Sequence, residues 1–277
     1  AVVAKYAPPP LEPAVTRPIQ AMLDVRAPGL GIVAPDGRRL YFGWRITGTP
    51  QVFRLDGPGA FPIQMTGGED PTGVAGVTPD GRWLVLQRDA GGREDPGLFL
   101  QRAGGGPLVT VQSIPKVRTH FQFASEDSQA IYYSANDVAP ENFAIYRYDL
   151  ASGAKTAVFA EKGLWAVADH RGHGDGLRLL LMRIKGPFAR EYVEYVPATK
   201  ARTALLGADE DVEYDAAYAA QDGELLVRTN RFGEFRRLYR WPIGADTAAA
   251  SFREVLAPAG MDVADFGIDD ARRHVYA

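Results

Sequence analysis

The sequence predicts an all-β fold, a β-propeller of four-stranded blades, on three observations. A turn-forming tripeptide, Pro-Asp-Gly or a degraded form of it, recurs along the chain. It reads Pro35-Asp36-Gly37, Pro79-Asp80-Gly81, Glu126-Asp127-Ser128, Gly174-Asp175-Gly176, Gln221-Asp222-Gly223 and Asp269-Asp270-Ala271. From Asp to Asp the spacings are 44, 47, 48, 47 and 48 residues, the period of a propeller blade. Each turn leads into a short apolar strand, and no long segment carries a 3.6-residue period. Five units are recognisable. A sixth begins and stops seven residues after Asp270, so the ring is expected to be incomplete.

The turn has a physical cause. Pro fixes φ at the first corner, Asp bonds back to nearby backbone N–H groups, and Gly accepts the positive φ that follows. Residues 1–26 stand outside the repeat. Pro8-Pro9-Pro10, Pro13 and Pro18 favour extended chain there, and Ile19 to Val25 suits one helical turn or a strand. This segment is a mobile leader or a strap against another domain; Ile19, Met22, Leu23 and Val25 favour the strap.

Residues 27–277 carry the blades. The first unit has Gly31–Val33, Leu40–Trp44, Val52–Leu55 and Phe61–Met65 as strands. In the second, Val74–Val77 precedes the turn, and Trp83–Leu86 is a continuous apolar run, as expected of a strand covered on both faces. Leu98–Leu100 and Leu108–Val111 complete it. The third unit has Phe121–Phe123, Ala130–Ser134, Ile145–Asp149 and Ala157–Phe159. The fourth has Trp165–Ala168, Leu177–Ile184, Tyr192–Val196 and Thr203–Leu206. The fifth has Ala216–Ala219, Leu225–Thr229, Arg237–Ile243 and Phe252–Leu256. The sixth offers only Val263–Ile268 and His274–Tyr276. A ring removes its sheet edges only by closing, so further chain after Ala277, or a partner capping the opening, is expected.

Composition excludes several function classes. The 277 residues are 46% hydrophobic and 23% charged, with a net charge of −3. That charge gives no electrostatic reason to expect nucleic acid or an anionic membrane as a partner. No apolar run approaches the length that spans a bilayer. The absence of Cys excludes disulfides and thiol catalysis and fits cytoplasm or periplasm. The chain opens on Ala1 rather than Met, read here as a removed signal peptide or a trimmed chain. No cofactor is called for.

The units Ala34-Pro35-Asp36-Gly37-Arg38-Arg39-Leu40-Tyr41-Phe42 and Thr78-Pro79-Asp80-Gly81-Arg82-Trp83-Leu84, with Gln64-Met65-Thr66-Gly67-Gly68 closing the first, carry a resemblance. So does the run from Arg228 to Trp241. Over residues 20–277 the chain resembles the N-terminal propeller of prolyl oligopeptidase-family serine peptidases, of the dipeptidyl aminopeptidase and acylaminoacyl-peptidase type. The resemblance implies a periplasmic or secreted two-domain enzyme. Its propeller restricts access for peptide substrates, and an α/β-hydrolase domain carries the Ser-Asp-His triad. That domain would be the main partner, in the same parent chain or a second one; a homo-oligomer is a further candidate assembly.

The sequence departs from that pattern in two places. A nucleophile elbow needs Gly-x-Ser-x-Gly, and none of Ser113, Ser125, Ser128, Ser134, Ser152 and Ser251 lies in one. No catalytic residue is therefore assigned within the chain. No Glu-Glu dipeptide, which in dipeptidyl peptidases holds a free amino terminus, occurs. The alternative is a stand-alone periplasmic binding or scaffold propeller without catalysis. A glycosidase-type propeller would need two facing inner-strand acids, and the inner strands here are mostly apolar.

Candidate site residues follow from charge patterning. The run Asp209-Glu210-Asp211-Val212-Glu213-Tyr214-Asp215 would bind a cation or a peptide amine, or else serve as a solvated connection between blades. Glu210, Asp211 and Glu213 are its candidates. Arg231 to Arg240 alternates basic and aromatic residues. That suits a strand with one packed face, or arginines, Arg231 and Arg236 among them, turned to a substrate carboxylate or the missing domain. His170, His173 and Asp175 form His-x-x-His-x-Asp, but Gly172, Gly174 and Gly176 make this a turn, and a further ligand would be needed; no metal is expected. Glu94-Asp95 and Asp137–Asn142 fall in loops between middle strands, at the end of a propeller that commonly binds things.

Overall fold

The computed structural model describes Pro9 and residues 11–277; the expectations for Pro8 and Pro10 lie outside the described residues. The chain divides into two compact units, residues 1–74 and 75–277. In the first, helix α1 (Pro13–Leu23) precedes an antiparallel meander of β1 (Gly31–Val33), β2 (Leu40–Trp44), β3 (Gln51–Leu55) and β4 (Ile63–Gln64). The helix corrects the extended reading of the leader. Pro13 sits in the first turn, where no N–H donor is needed, and Pro18 is accommodated inside it. Every residue of α1 is exposed, including Val15, Ile19, Met22 and Leu23.

The boundary between the units falls within β5 (Thr72–Val77). This strand forms a sheet with β6 (Trp83–Arg88), β7 (Gly97–Arg102) and β8 (Val109–Gln112). The third sheet is β9 (Thr119–Ala124), β10 (Ala130–Ala139), β11 (Asn142–Asp149) and β12 (Lys155–Phe159). The fourth is β13 (Leu164–Arg171), β14 (Arg178–Ile184), β15 (Arg190–Val196) and β16 (Ala201–Leu206). One parallel pair, Phe143 with Leu164, joins these two. The fifth sheet is β17 (Tyr214–Tyr218), β18 (Glu224–Thr229), β19 (Arg237–Pro242) and β20 (Arg253–Leu256). β21 (Gly267–Ile268) and β22 (Val275–Tyr276) form a two-stranded sheet.

In space the repeat holds a constant 47 residues through its middle units. The turns between first and second strands open at Ala34, Thr78, Ser125, Gly172, Ala219 and Asp269, so the spacings are 44, 47, 47, 47 and 50. Asp36, Asp80 and Asp127 hold the third place of their turns, Asp175 and Asp222 the fourth, and Asp270 the second. What the turn keeps is a residue in the left-handed region, wherever it falls. Gly37 (φ 68), Gly81 (φ 68), Ser128 (φ 54) and Arg272 (φ 54) take the fourth place, and Gly223 (φ 77) the fifth. The early Asp side chains cap these corners: the Arg38, Arg82 and Gln129 N–H groups donate to Asp36, Asp80 and Asp127 at 2.9, 3.0 and 3.0 Å.

In residues 75–277 the core lies between sheets. Period-two alternation sends neighbours on one strand to opposite faces. Leu179 and Leu181 of β14 pack with Phe123, Tyr132 and Ile145 of the third sheet. Leu180, between them, packs with Tyr214, Val227 and Trp241 of the fifth. All three leucines are fully buried, which is why this strand reads as an unbroken apolar run. A like cluster joins Val85, Leu98 and Leu100 to Ile131, Tyr133 and Tyr146. A smaller one sets Phe266 and Ile268 against Leu226 and Leu238.

Candidate functional site

The acidic candidates lie in the connection from β16 to β17, and the basic ones in the loop between β18 and β19. The two segments come together at one end of the fourth and fifth sheets. Gly207 starts the acidic connection with φ 76; a Cβ there would lie 1.9 Å from the Arg190 carbonyl oxygen, so only glycine lets the backbones approach this closely. Lys185 Nζ then donates to the carbonyls of Gly207, Ala208 and Glu210 at 2.8, 2.8 and 2.9 Å. Three carbonyls converge on one ammonium, and the loop is held from beneath.

Glu210 accepts from Tyr214 Oη at 2.6 Å, from Thr247 Oγ1 at 3.3 Å and from Arg231 Nη1. Arg231 Nη1 also reaches Tyr214 Oη at 2.6 Å. Burial pushes the Glu210 carboxyl up, but the donors Arg231 and Tyr214 outweigh it and hold the group below its ordinary range. Burial and the bond to Glu210 push the Tyr214 phenol up to about 12. Glu213 pairs with Arg236 at 3.3 Å, and Arg236 forks onto Asp262 at 3.2 and 2.9 Å. Asp262 is held low, first by the backbone N–H of Arg236 and then by its side chain.

Sequence reasoning offered Glu210 and Glu213 from one run and Arg231 and Arg236 from another, as separate candidates. The structure brings them together as two ion-paired groups, Glu210–Arg231 and Glu213–Arg236–Asp262. Asp211 stands apart, exposed on the held loop. With Phe188, Val212, Glu213, Asn230 and Arg231 it lines an open cavity of about 480 Å³. Phe188 is 70% exposed. A carboxylate beside an apolar ring on a fixed loop suits a ligand with a cationic and an apolar part. Lys185, Phe188, Tyr214 and Asp262 were missed as site residues. Lys185 and Phe188 sit in the β14–β15 loop and Asp262 lies 26 residues beyond Arg236, so only pairing between strands reveals them.

The other candidates separate. His170 stacks on Phe123 at 3.8 Å, whereas His173 faces Glu126 at 3.3 Å. Among the described residues no group of three metal-ligating side chains converges. Asp95 binds the Lys116 backbone N–H at 2.6 Å, and Asp137 pairs with Lys155 at 2.6 Å. Ser125, Ser152 and Ser251 bond to the aspartates of their own turns, and Ser134 to Gln122.

No protein-family model matches the chain, and no curated protein matches it in sequence. Solved structures do. One of a prolyl endopeptidase pair, described for inter-domain dynamics in catalysis and specificity, aligns over 91% of this chain and 40% of its own, at 14% identity and TM-score 0.69. The Pyrococcus horikoshii acylaminoacyl peptidase aligns over 88% of this chain and 40% of its own, at 17% identity and TM-score 0.57. TolB from Acinetobacter baumannii aligns over 78% of this chain and 52% of its own, at 16% and 0.52. These likenesses establish the fold: the chain is a β-propeller, and it spans about 40% of the length of the peptidase structures it resembles.

Proposed function

We propose that the chain is the propeller part of a prolyl oligopeptidase-type serine peptidase, gating access of peptides to a catalytic α/β-hydrolase domain that lies outside residues 1–277. The observation that carries this reading is the alignment of 91% of the chain with 40% of a prolyl endopeptidase. Covalent chemistry would follow the Ser-His-Asp scheme, with all three groups on the hydrolase domain. The propeller's part is steric and electrostatic: it admits short chains, and the Asp211–Phe188 cavity offers a carboxylate to a peptide amine. Export to the periplasm belongs to the same proposal.

The likeness to TolB favours a second reading, a non-catalytic binding propeller. The two part on one experiment. Native protein carrying this sequence is assayed on short chromogenic peptides and on a long denatured protein, before and after a serine-directed phosphonate. The peptidase reading expects phosphonate-sensitive cleavage of short peptides and at least tenfold slower cleavage of the long substrate. Absence of cleavage overturns it in favour of the binding propeller, and equal rates overturn gating alone.

A further inference from the structure

A second cavity lies where the first strands of several sheets run into their turns. It measures about 520 Å³ and takes in Phe123, Glu126, Asp169, His170, Asp270 and Arg272. Its floor is fixed. Arg272 Nη1 and Nη2 fork onto Asp169 at 2.9 and 2.7 Å and also bond the carbonyls of Tyr218 and His170 at 2.8 and 2.7 Å. Asp169 further accepts the Tyr218 and His170 N–H groups at 2.8 Å each. These two residues satisfy one another and leave no charge for a ligand.

The remaining wall is unevenly charged. Four carboxylates line the cavity, those of Glu126, Asp169, Asp269 and Asp270, against the single guanidinium of Arg272. Asp269 is consumed by its own turn, accepting the Arg273 and His274 N–H groups at 2.6 and 2.8 Å. Asp270 is exposed and has no hydrogen bond or ion pair among the described residues. Among the described residues the Glu126 side chain has only the His173 contact, in which both groups are more than half exposed. Of the lining residues, Phe123 and His170 stack at 3.8 Å and 14°, and Tyr132, outside the cavity, stacks on Phe123 at 4.3 Å and 6°. Burial holds the His170 imidazole below its ordinary range and so uncharged near neutral pH, and its ring nitrogens have no hydrogen-bond partner among the described residues.

We propose that this cavity binds a guanidinium cation, stacked against the His170 end of the ring column and paired with Asp270 and Glu126. A planar delocalised cation suits a flat ring beside carboxylates better than an ammonium does. Guanidiniums already lie over rings elsewhere in the chain, that of Arg102 at 3.8 Å from the centroid of the Trp83 ring. The proposal is independent of the peptidase reading.

The same chemistry has two sources, a free small guanidine or an arginine residue of a peptide. Native-length protein is titrated calorimetrically with agmatine, with a blocked Gly-Arg-Gly peptide, and with the citrulline analogue of that peptide as the neutral control. Saturable binding of agmatine identifies free guanidines as the source; saturation by the arginine peptide alone identifies a peptide. In either case Asp270→Asn weakens binding roughly three- to tenfold, the worth of one exposed charge pair or ring contact. His170→Ala does the same, and the citrulline peptide does not bind. Asp270 sits at a turn tip, so its variant keeps the test valid if His170→Ala fails to fold. No saturation by either cation, or binding unchanged in Asp270→Asn, overturns the proposal.

Discussion

Leu180 and Leu181 are adjacent on β14 and equally buried, yet they belong to different interfaces. Truncating either to Ala removes three carbon atoms from a close-packed site. Transfer alone is worth about 0.8 kcal/mol per methylene, so roughly 2.4 kcal/mol for three. The cavity left behind raises the expected loss to about 2–5 kcal/mol for each variant. The costs are therefore similar and their locations differ. Urea unfolding reads the cost, and native-state hydrogen exchange reads the location. Leu180→Ala should lower protection first in β17 and β18, around Tyr214 and Val227. Leu181→Ala should lower it first in β9 to β11, around Phe123 and Ile145. If both variants loosen the same amides, or if either costs less than about 1 kcal/mol, the two-faced packing of β14 is wrong.

Three further outcomes follow from the same geometry. Gly207→Ala places a Cβ 1.9 Å from the Arg190 carbonyl at φ 76; left-handed strain of about 1–2 kcal/mol and overpacking of about 1–3 kcal/mol should add, and urea unfolding measures the sum. Glu210 has a depressed folded-state pKa, so the folded state binds fewer protons than the unfolded state. Its contribution is present above the ordinary carboxyl range and is lost as pH falls through the depressed value; Glu210→Gln should flatten that part of the stability–pH curve below pH 5. Tyr214 is raised to about 12, so its contribution holds below pH 10 and is lost as pH rises through 12. Tyr214→Phe, compared with wild type by urea titration at pH 9 and 11, should show a smaller alkaline loss.

Most of the strand order was legible because the two signals that set it are local. A left-handed turn residue and a run of apolar residues both announce themselves within ten positions. The Asp count slipped by one after the third unit because the turns conserve a backbone conformation, not a residue: Arg272 at φ 54 does the work of Gly37. Helix α1 was misread because Pro13 was taken as a sign of extended chain, although a proline in the first helical turn costs nothing. The candidate site was half legible. Charge clustering located Glu210, Glu213, Arg231 and Arg236, but their mutual pairing, and the roles of Lys185 and Asp262, depend on contacts between strands far apart in sequence. The Asp169–Arg272 fork spans 103 residues, and Asp169 lies in no motif.

The central claim is that this propeller serves a serine peptidase, and intact mass tests it most directly. Polypeptides carrying this sequence are isolated from the native source and weighed after reaction with a fluorophosphonate. The account predicts a species well above 30.1 kDa, or a co-purifying second chain, that gains the mass of one phosphonate adduct. A lone 30.1 kDa species, folded and without an adduct, would contradict it.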